Sequence, residues 1–204
     1  PAGFELDEGL GILTCPYRIP TQRQIVFPSL PASDKEAIEQ IRNLSQAPQP
    51  ENWKTRGATL AKSGYDGGTY SLLCQKNEGT AFVGASQDVE LGQAVAKRIV
   101  ISGRCRAANV SGVPDNDFGL YADLWFSNGT RLYGQCVQFD TGTHGWGKAE
   151  LTVTPTKPVR MIRLHALMRG KHAGWAWFDD VSIREVDSDV NHVRNPNFEK
   201  AVPH

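Results

Sequence analysis

From Arg56 onward the chain is a succession of short runs rich in Val, Ile, Tyr and Phe, parted by Gly, Asn and Asp at intervals of about ten residues. About nine such runs can be read, among them "TYSLLCQ", "TAFVGASQDV", "KRIVISGRCRAA", "FGLYADLWF", "RLYGQCVQF", "VRMIRLHALM" and "GWAWFDDVSIRE". Little helical periodicity separates them, which argues against βαβ units and a parallel sheet. The expected fold is all-β: a two-sheet antiparallel β-sandwich. A length of 204 residues suits one large all-β domain or two small ones.

Strand alternation sorts the side chains by face. In "LWFSNGTRLYG" a two-residue Asn-Gly turn would put Arg131 and Gln135 on the apolar side. A three-residue loop with a left-handed Gly129 shifts the register by one. Leu132, Gly134 and Cys136 then join the core face of Leu120, Ala122, Leu124 and Phe126, and Arg131, Tyr133 and Gln135 join Tyr121, Asp123 and Trp125. The bulged turn is the more consistent, and it is the one expected. The same parity turns Ile162, Leu164, Ala166 and Met168 inward and Arg163 and His165 outward. Ile99, Ile101 and Cys105 point in, leaving Arg104 out. Several strands thus have one apolar face and one polar face carrying aromatics and Arg. Trp53, Trp146, Trp175 and Trp177 are expected in the core or under loops, since Trp is usually mostly buried.

Residues 10–52 differ from the rest. Six prolines interrupt them, and between these lies one helix signal over about 33–45, "SDKEAIEQIRNLS". Ser33 with Glu36 forms a capping box, and Ala37, Ile38, Ile41 and Leu44 recur at helical spacing. The segment reads as an insertion packing one short helix on the β core.

Lys+Arg and Asp+Glu are both 22, a balance that argues against a binder of duplex nucleic acid, which needs a basic footprint. No apolar run is long enough to span a bilayer. "PAGFELDEG" has neither the basic nor the apolar region of a signal peptide, so any leader is expected to have been removed. Cys15, Cys74, Cys105 and Cys136 are far apart and form no C-x-x-C; most are expected to be unpaired. Asn43, Asn109 and Asn128 head glycosylation sequons, a weak signal. No Gly-rich phosphate loop, G-x-S-x-G or H-E-x-x-H motif occurs.

"GFE" (Gly3–Glu5), "DGGTYSLL" (Asp66–Leu73), "FDTGTHGW" (Phe139–Trp146) and "WFDDVSI" (Trp177–Ile183) together resemble the carbohydrate-binding modules of families 4, 9, 16 and 22. The resemblance covers roughly Trp53–Val186 plus the first few residues, and the 10–52 insertion departs from it. It implies a jelly-roll sandwich over residues 1–187 that binds a polysaccharide without catalysis. It also implies a secreted or cell-surface setting and neighbouring catalytic or binding modules in a longer chain. The tail, 188–204, contains "NPNFE" (Asn195–Glu199), like the opening motif beginning again. It reads either as a linker into a following module or as an edge strand folding back on this one.

Adjacent acids on a strand face opposite sides, so Asp179 and Asp180 cannot form the paired carboxylates of a retaining glycosidase. Parity groups Asp179 with Trp177, Val181 and Ile183, and an inward carboxylate at a sheet end calls for a hard cation or for turn amides. The resemblance implies a structural calcium held by Glu5, Asp66, the Thr69 carbonyl and Asp179 or Asp180. The expected ligand surface is Tyr121, Asp123, Trp125, Arg131, Tyr133 and Gln135, with Arg163 and His165. Flat rings there suit sugar faces, and the polar groups suit hydroxyls. Positive charge from Arg104, Arg163 and His165 would suit an acidic or sulfated polysaccharide. The alternatives are a jelly-roll polysaccharide lyase, which needs only a Tyr or His base beside an Arg or Lys, and a spacer or interaction domain that binds no glycan.

Overall fold

A computed structural model describes residues 5–7, 12–14 and 48–202. The chain divides into two compact units, Pro1–Gln46 and Ala47–His204. In the first, β1 (Glu5–Asp7) and β2 (Ile12–Thr14) form an antiparallel ladder pairing Glu5 with Thr14. The helix expected at about 33–45 lies outside the described residues, as does Cys15.

The second unit is a sandwich of two five-stranded antiparallel sheets. Its strands are β3 (Gln49–Pro50), β4 (Lys54–Arg56), β5 (Thr59–Ala61), β6 (Ser71–Lys76), β7 (Phe82–Glu90), β8 (Ile99–Val110) and β9 (Phe118–Phe126). They continue with β10 (Arg131–Gln138), β11 (Gly142–Val153), β12 (Val159–Arg169), β13 (Gly174–Glu185) and β14 (Ala201–Val202). The first sheet runs β10-β9-β12-β7-β4 and the second β11-β8-β13-β6-β5, while β14 pairs with β3. Among the described residues the helical content is one 3-10 turn, Tyr65–Gly67.

The alternation fixes the core. Ile162, Leu164, Ala166 and Met168 from β12 face Ile99, Ile101 and Cys105 from β8, all buried. Phe178 packs against Phe118 and Phe139 with ring centroids 6.1 and 5.9 Å apart. Trp53 is buried too. Cys74, Cys105 and Cys136 are free thiols, and burial pushes the Cys105 thiol well up.

The β9–β10 turn has the expected bulged form. Gly129 is left-handed (φ 82°), a conformation that costs glycine nothing, and Arg131 pairs with Trp125. Two further bulges correct the alternation expected beyond them, because an extra residue exchanges the faces of all that follow. In β10 the register shifts between Leu132 and Gln135, with Gly134 at φ 77°. Cys136 therefore pairs with Tyr121 on the outer face, and Gln135 with Ala122. In β13 the shift lies between Asp179 and Ser182, with Asp180 at φ 49°. Val181 and Ile183 point into the core, while Trp177 and Asp179 lie opposite Arg106 and Arg104 on the outer face.

The tail docks on this same unit. Phe198 is 0 % exposed within the core, its ring 5.1 Å from that of Trp53. Asn195 donates to the carbonyls of Glu51 and Lys200, and the Trp53 indole N–H donates to the Asn195 carbonyl. Gln87 brackets Arg194, donating to its carbonyl and accepting from its N–H. These bonds satisfy backbone groups that burial would otherwise strand.

Candidate functional site

The outer face of the first sheet gathers most of the expected ligand residues. Successive same-face positions place Tyr121, Asp123 and Trp125 on β9 beside Arg163 and His165 on β12, through the pairs Arg163–Asp123 and His165–Tyr121. Trp125 and Tyr133 meet edge to face at 6.4 Å, and Tyr133 is 55 % exposed. Arg131 lies 5.4 Å from the Trp125 ring centre and donates to the Tyr133 hydroxyl at 2.9 Å. Arg163 lies 5.2 Å from the same ring. Gln135, past the bulge, donates to the Tyr133 carbonyl.

The charges on this face are largely matched within it. Arg163 makes a two-pronged bond to Asp88, 2.6 Å to Oδ1 and 3.0 Å to Oδ2. This hydrogen bond holds the Asp88 carboxyl below its ordinary range. Arg169 pairs with Asp117 at 2.7 Å and lies 4.6 Å from the centre of the Tyr121 ring. Asp123 accepts the N–H of Gly134, so it pins the β10 bulge. His165 sits edge-on to Tyr121 at 6.2 Å, and its Nδ1 is buried without a hydrogen-bond partner. Burial lowers the His165 pKa from 6.5, which keeps the ring neutral at pH 7.

Asp88, Arg169 and Asp117 belong to this face although only their neighbours were expected there. Extending the β12 alternation from Arg163 through His165 reaches Arg169, and Asp88 is the residue β7 sets opposite Arg163.

The residues expected to hold a cation are brought together in part. Asp179 is 3 % exposed beneath the Tyr65–Gly67 turn, with Oδ2 accepting the Tyr65 N–H at 2.7 Å and Oδ1 the Asp180 N–H. Burial pushes its carboxyl up to about 6; the amide bonds oppose this, and the charges of Glu199 and Asp180 add to it. Glu199, from the tail, accepts the Tyr70 N–H at 3.0 Å. A side chain on Gly68 would come within 2.8 Å of Glu199 Oε1, so only glycine leaves this cradle open. Asp180 points away, 3.3 Å from Arg104. Asp66 and Thr69 are exposed on the turn, and the Glu5 side chain lies outside the described residues. Among the described residues no group of three or more His, Cys, Asp or Glu is disposed to hold a metal.

Three of the five tryptophans lie elsewhere than expected. Trp146, Trp175 and Trp177 are on the outer side of the second sheet, not in the core; Trp175 is 38 % exposed and the other two are half-buried. Arg106 is layered 4.2 Å from the Trp177 ring centre and 5.6 Å from that of Trp146. Tyr65 meets Trp146 edge-on at 5.9 Å and carries Arg104 at 3.9 Å on its other contact.

No family model matches the chain. The tRNA nuclease WapA of Bacillus subtilis strain 168 is 25 % identical over 166 residues, covering 75 % of this chain and 7 % of the nuclease. The tRNA3(Ser)-specific nuclease WapA of Bacillus spizizenii matches with the same identity and coverage. The chain thus spans only 7 % of the length of these curated relatives. Among solved structures, a family 16 carbohydrate-binding module superposes with a TM-score of 0.50 at 12 % identity, over 67 % of this chain and 96 % of the module. The tandem CBM22-1–CBM22-2 domain of Paenibacillus barcinonensis Xyn10C gives 0.50 at 18 % identity, over 70 % and 43 %. The sandwich has the fold of the carbohydrate-binding modules of the 4/9/16/22 type.

Proposed function

We propose that the outer face of the first sheet binds a polysaccharide chain without cleaving it. The observation that carries this is the Trp125–Tyr133 pair beside the Arg163–Asp88 fork and the unpartnered His165 Nδ1. A sugar ring has an apolar side for exposed Tyr133, and its hydroxyls can both donate to and accept from fixed polar groups. The fold shared with carbohydrate-binding modules supports this reading. Titration calorimetry against neutral oligosaccharides tests it: binding should be lost in a Trp125→Ala, Tyr133→Ala double variant. No binding by the unaltered protein to any member of a broad panel would overturn it. An unsaturated, ultraviolet-absorbing product would replace it with a lyase.

The chain would act as one module of a longer protein, outside the cell or at its surface, where weak single-site affinity is raised by a neighbour through effective concentration. We further propose that calcium is held by the carboxylates of Asp179 and Glu199 with oxygens of the 65–70 turn. Hard carboxylate oxygens converging beside an open glycine suit that ion. Its role would be to clip the tail to the turn. Calcium should raise the melting temperature of the protein, and Glu199→Gln should remove the effect; an unchanged melting curve would discard the ion.

A further inference from the structure

The outer face of the second sheet carries, beyond its Asp179 end, an aromatic and cationic cluster that neither the glycan face nor the calcium site above uses. Its central guanidinium, Arg106, is flanked by Trp177 and Trp146, but it makes no hydrogen bond or ion pair among the described residues. Its Nε–H is buried without an acceptor. A buried donor left unmatched costs free energy, and a positive charge held at the edge of a low-dielectric ring stack attracts anions more strongly than one in water. Arg104 beside it is already matched, by Asp180.

Trp175, the exposed tryptophan of this face, is two residues along β13 from Trp177, about 7 Å away on the same side. It lies opposite Ala108, a side chain of a single methyl group. A ring laid on Trp175 would bring a carboxylate borne by it to the guanidinium of Arg106. Exposed aromatic platform and unmatched cation are thus set about one sugar apart.

We propose that this face is a second binding site, distinct from the first-sheet face, for a carboxylate-bearing saccharide whose ring stacks on Trp175 and whose carboxylate pairs with Arg106. The site does not depend on the first face binding anything. The probe is hexagalacturonate, titrated calorimetrically into the intact protein at low ionic strength, with neutral galactohexaose as comparator. Arg106→Met should weaken hexagalacturonate about tenfold or more, the loss of a charge-assisted bond. Trp175→Ala should weaken it similarly while keeping the melting temperature, because that side chain is at the surface. The Trp125→Ala, Tyr133→Ala protein should bind it within twofold of normal, and added salt should weaken it. The proposal fails if hexagalacturonate does not bind at millimolar concentration, or if neither second-sheet variant weakens it. It fails equally if the first-sheet double variant abolishes binding, or if galactohexaose binds as tightly.

Discussion

The two outer faces of the sandwich are built from the same residue types and differ in how their central guanidinium groups are matched. On the first sheet Arg163 and Arg169 lie beside aromatic rings, and each is matched by an aspartate, Asp88 or Asp117. On the second sheet Arg106 lies between aromatic rings with no acidic partner among the described residues. Of Arg163, Arg169 and Arg106, each set on a ring, only Arg106 lacks an acidic partner and so keeps an uncancelled field for a ligand to use. The faces differ in support as well. The bulge of the first is pinned from within its own sheet by Asp123. The Tyr65 turn of the second is held by Asp179 and, through Tyr70, by Glu199 of the tail.

Removing the tail's anchor should separate the faces most sharply. Phe198→Ala empties a core position and should cost about 3–5 kcal/mol, read as a fall in chemical-denaturation midpoint. Amide exchange should quicken around Tyr65–Tyr70 far more than in β9 and β10, and equal quickening in both would erase the difference in support. Calcium comes next. Adding it at about a hundred times its dissociation constant should stabilise by about 2.7 kcal/mol, with protection confined to the turn and tail. Asp179→Asn should abolish that gain.

Smaller effects probe the matched charges. Arg163→Met leaves Asp88 without its partner at a partly exposed site and should cost less than about 1 kcal/mol. The sign of its pH dependence follows from the lowered Asp88 carboxyl. The stabilisation is complete above the unfolded carboxyl's range near 3.9 and disappears as pH falls through the lower folded value. The variant and the unaltered protein should therefore converge in stability at low pH and part above about pH 4. His165 runs on a different range. Its folded pKa is depressed, so the unfolded chain takes up the proton first and stability falls as pH drops below about 6.5. An NMR titration of the ring should place its midpoint below 6.5, and a midpoint above it would mean an acidic neighbour governs the ring instead of burial.

Most of the sandwich was legible because alternation reports burial directly: Ile162 to Met168 and the Gly129 turn follow from pattern and turn chemistry alone. Alternation fails where a residue is inserted, and two bulges account for the errors at Cys136, Gln135 and Asp179. Neither Gly134 nor Asp180 marks a bulge unambiguously in sequence, since both also occur in regular strands and turns. The tryptophans misled for a different reason. Average burial puts Trp inside, yet Trp175 and Trp177 alternate with buried Ala176 and Phe178, and that local parity was the stronger signal. Glu199 was seen only as an echo of Glu5. Strand spacing cannot say which of two similar segments a core accepts.

Docking of the tail also bears on the order of synthesis. Domains tend to fold as units while the chain emerges from its N-terminal end. Here a fully buried side chain of the hydrophobic interior, Phe198, is made 145 positions after the indole it packs against, Trp53. Both sheets can pair before it arrives, but one end of their interior stays unfilled until it does. Shortening the chain before Phe198 would remove the β14–β3 ladder but leave both five-stranded sheets, with an apolar socket open to whatever apolar segment reaches it first.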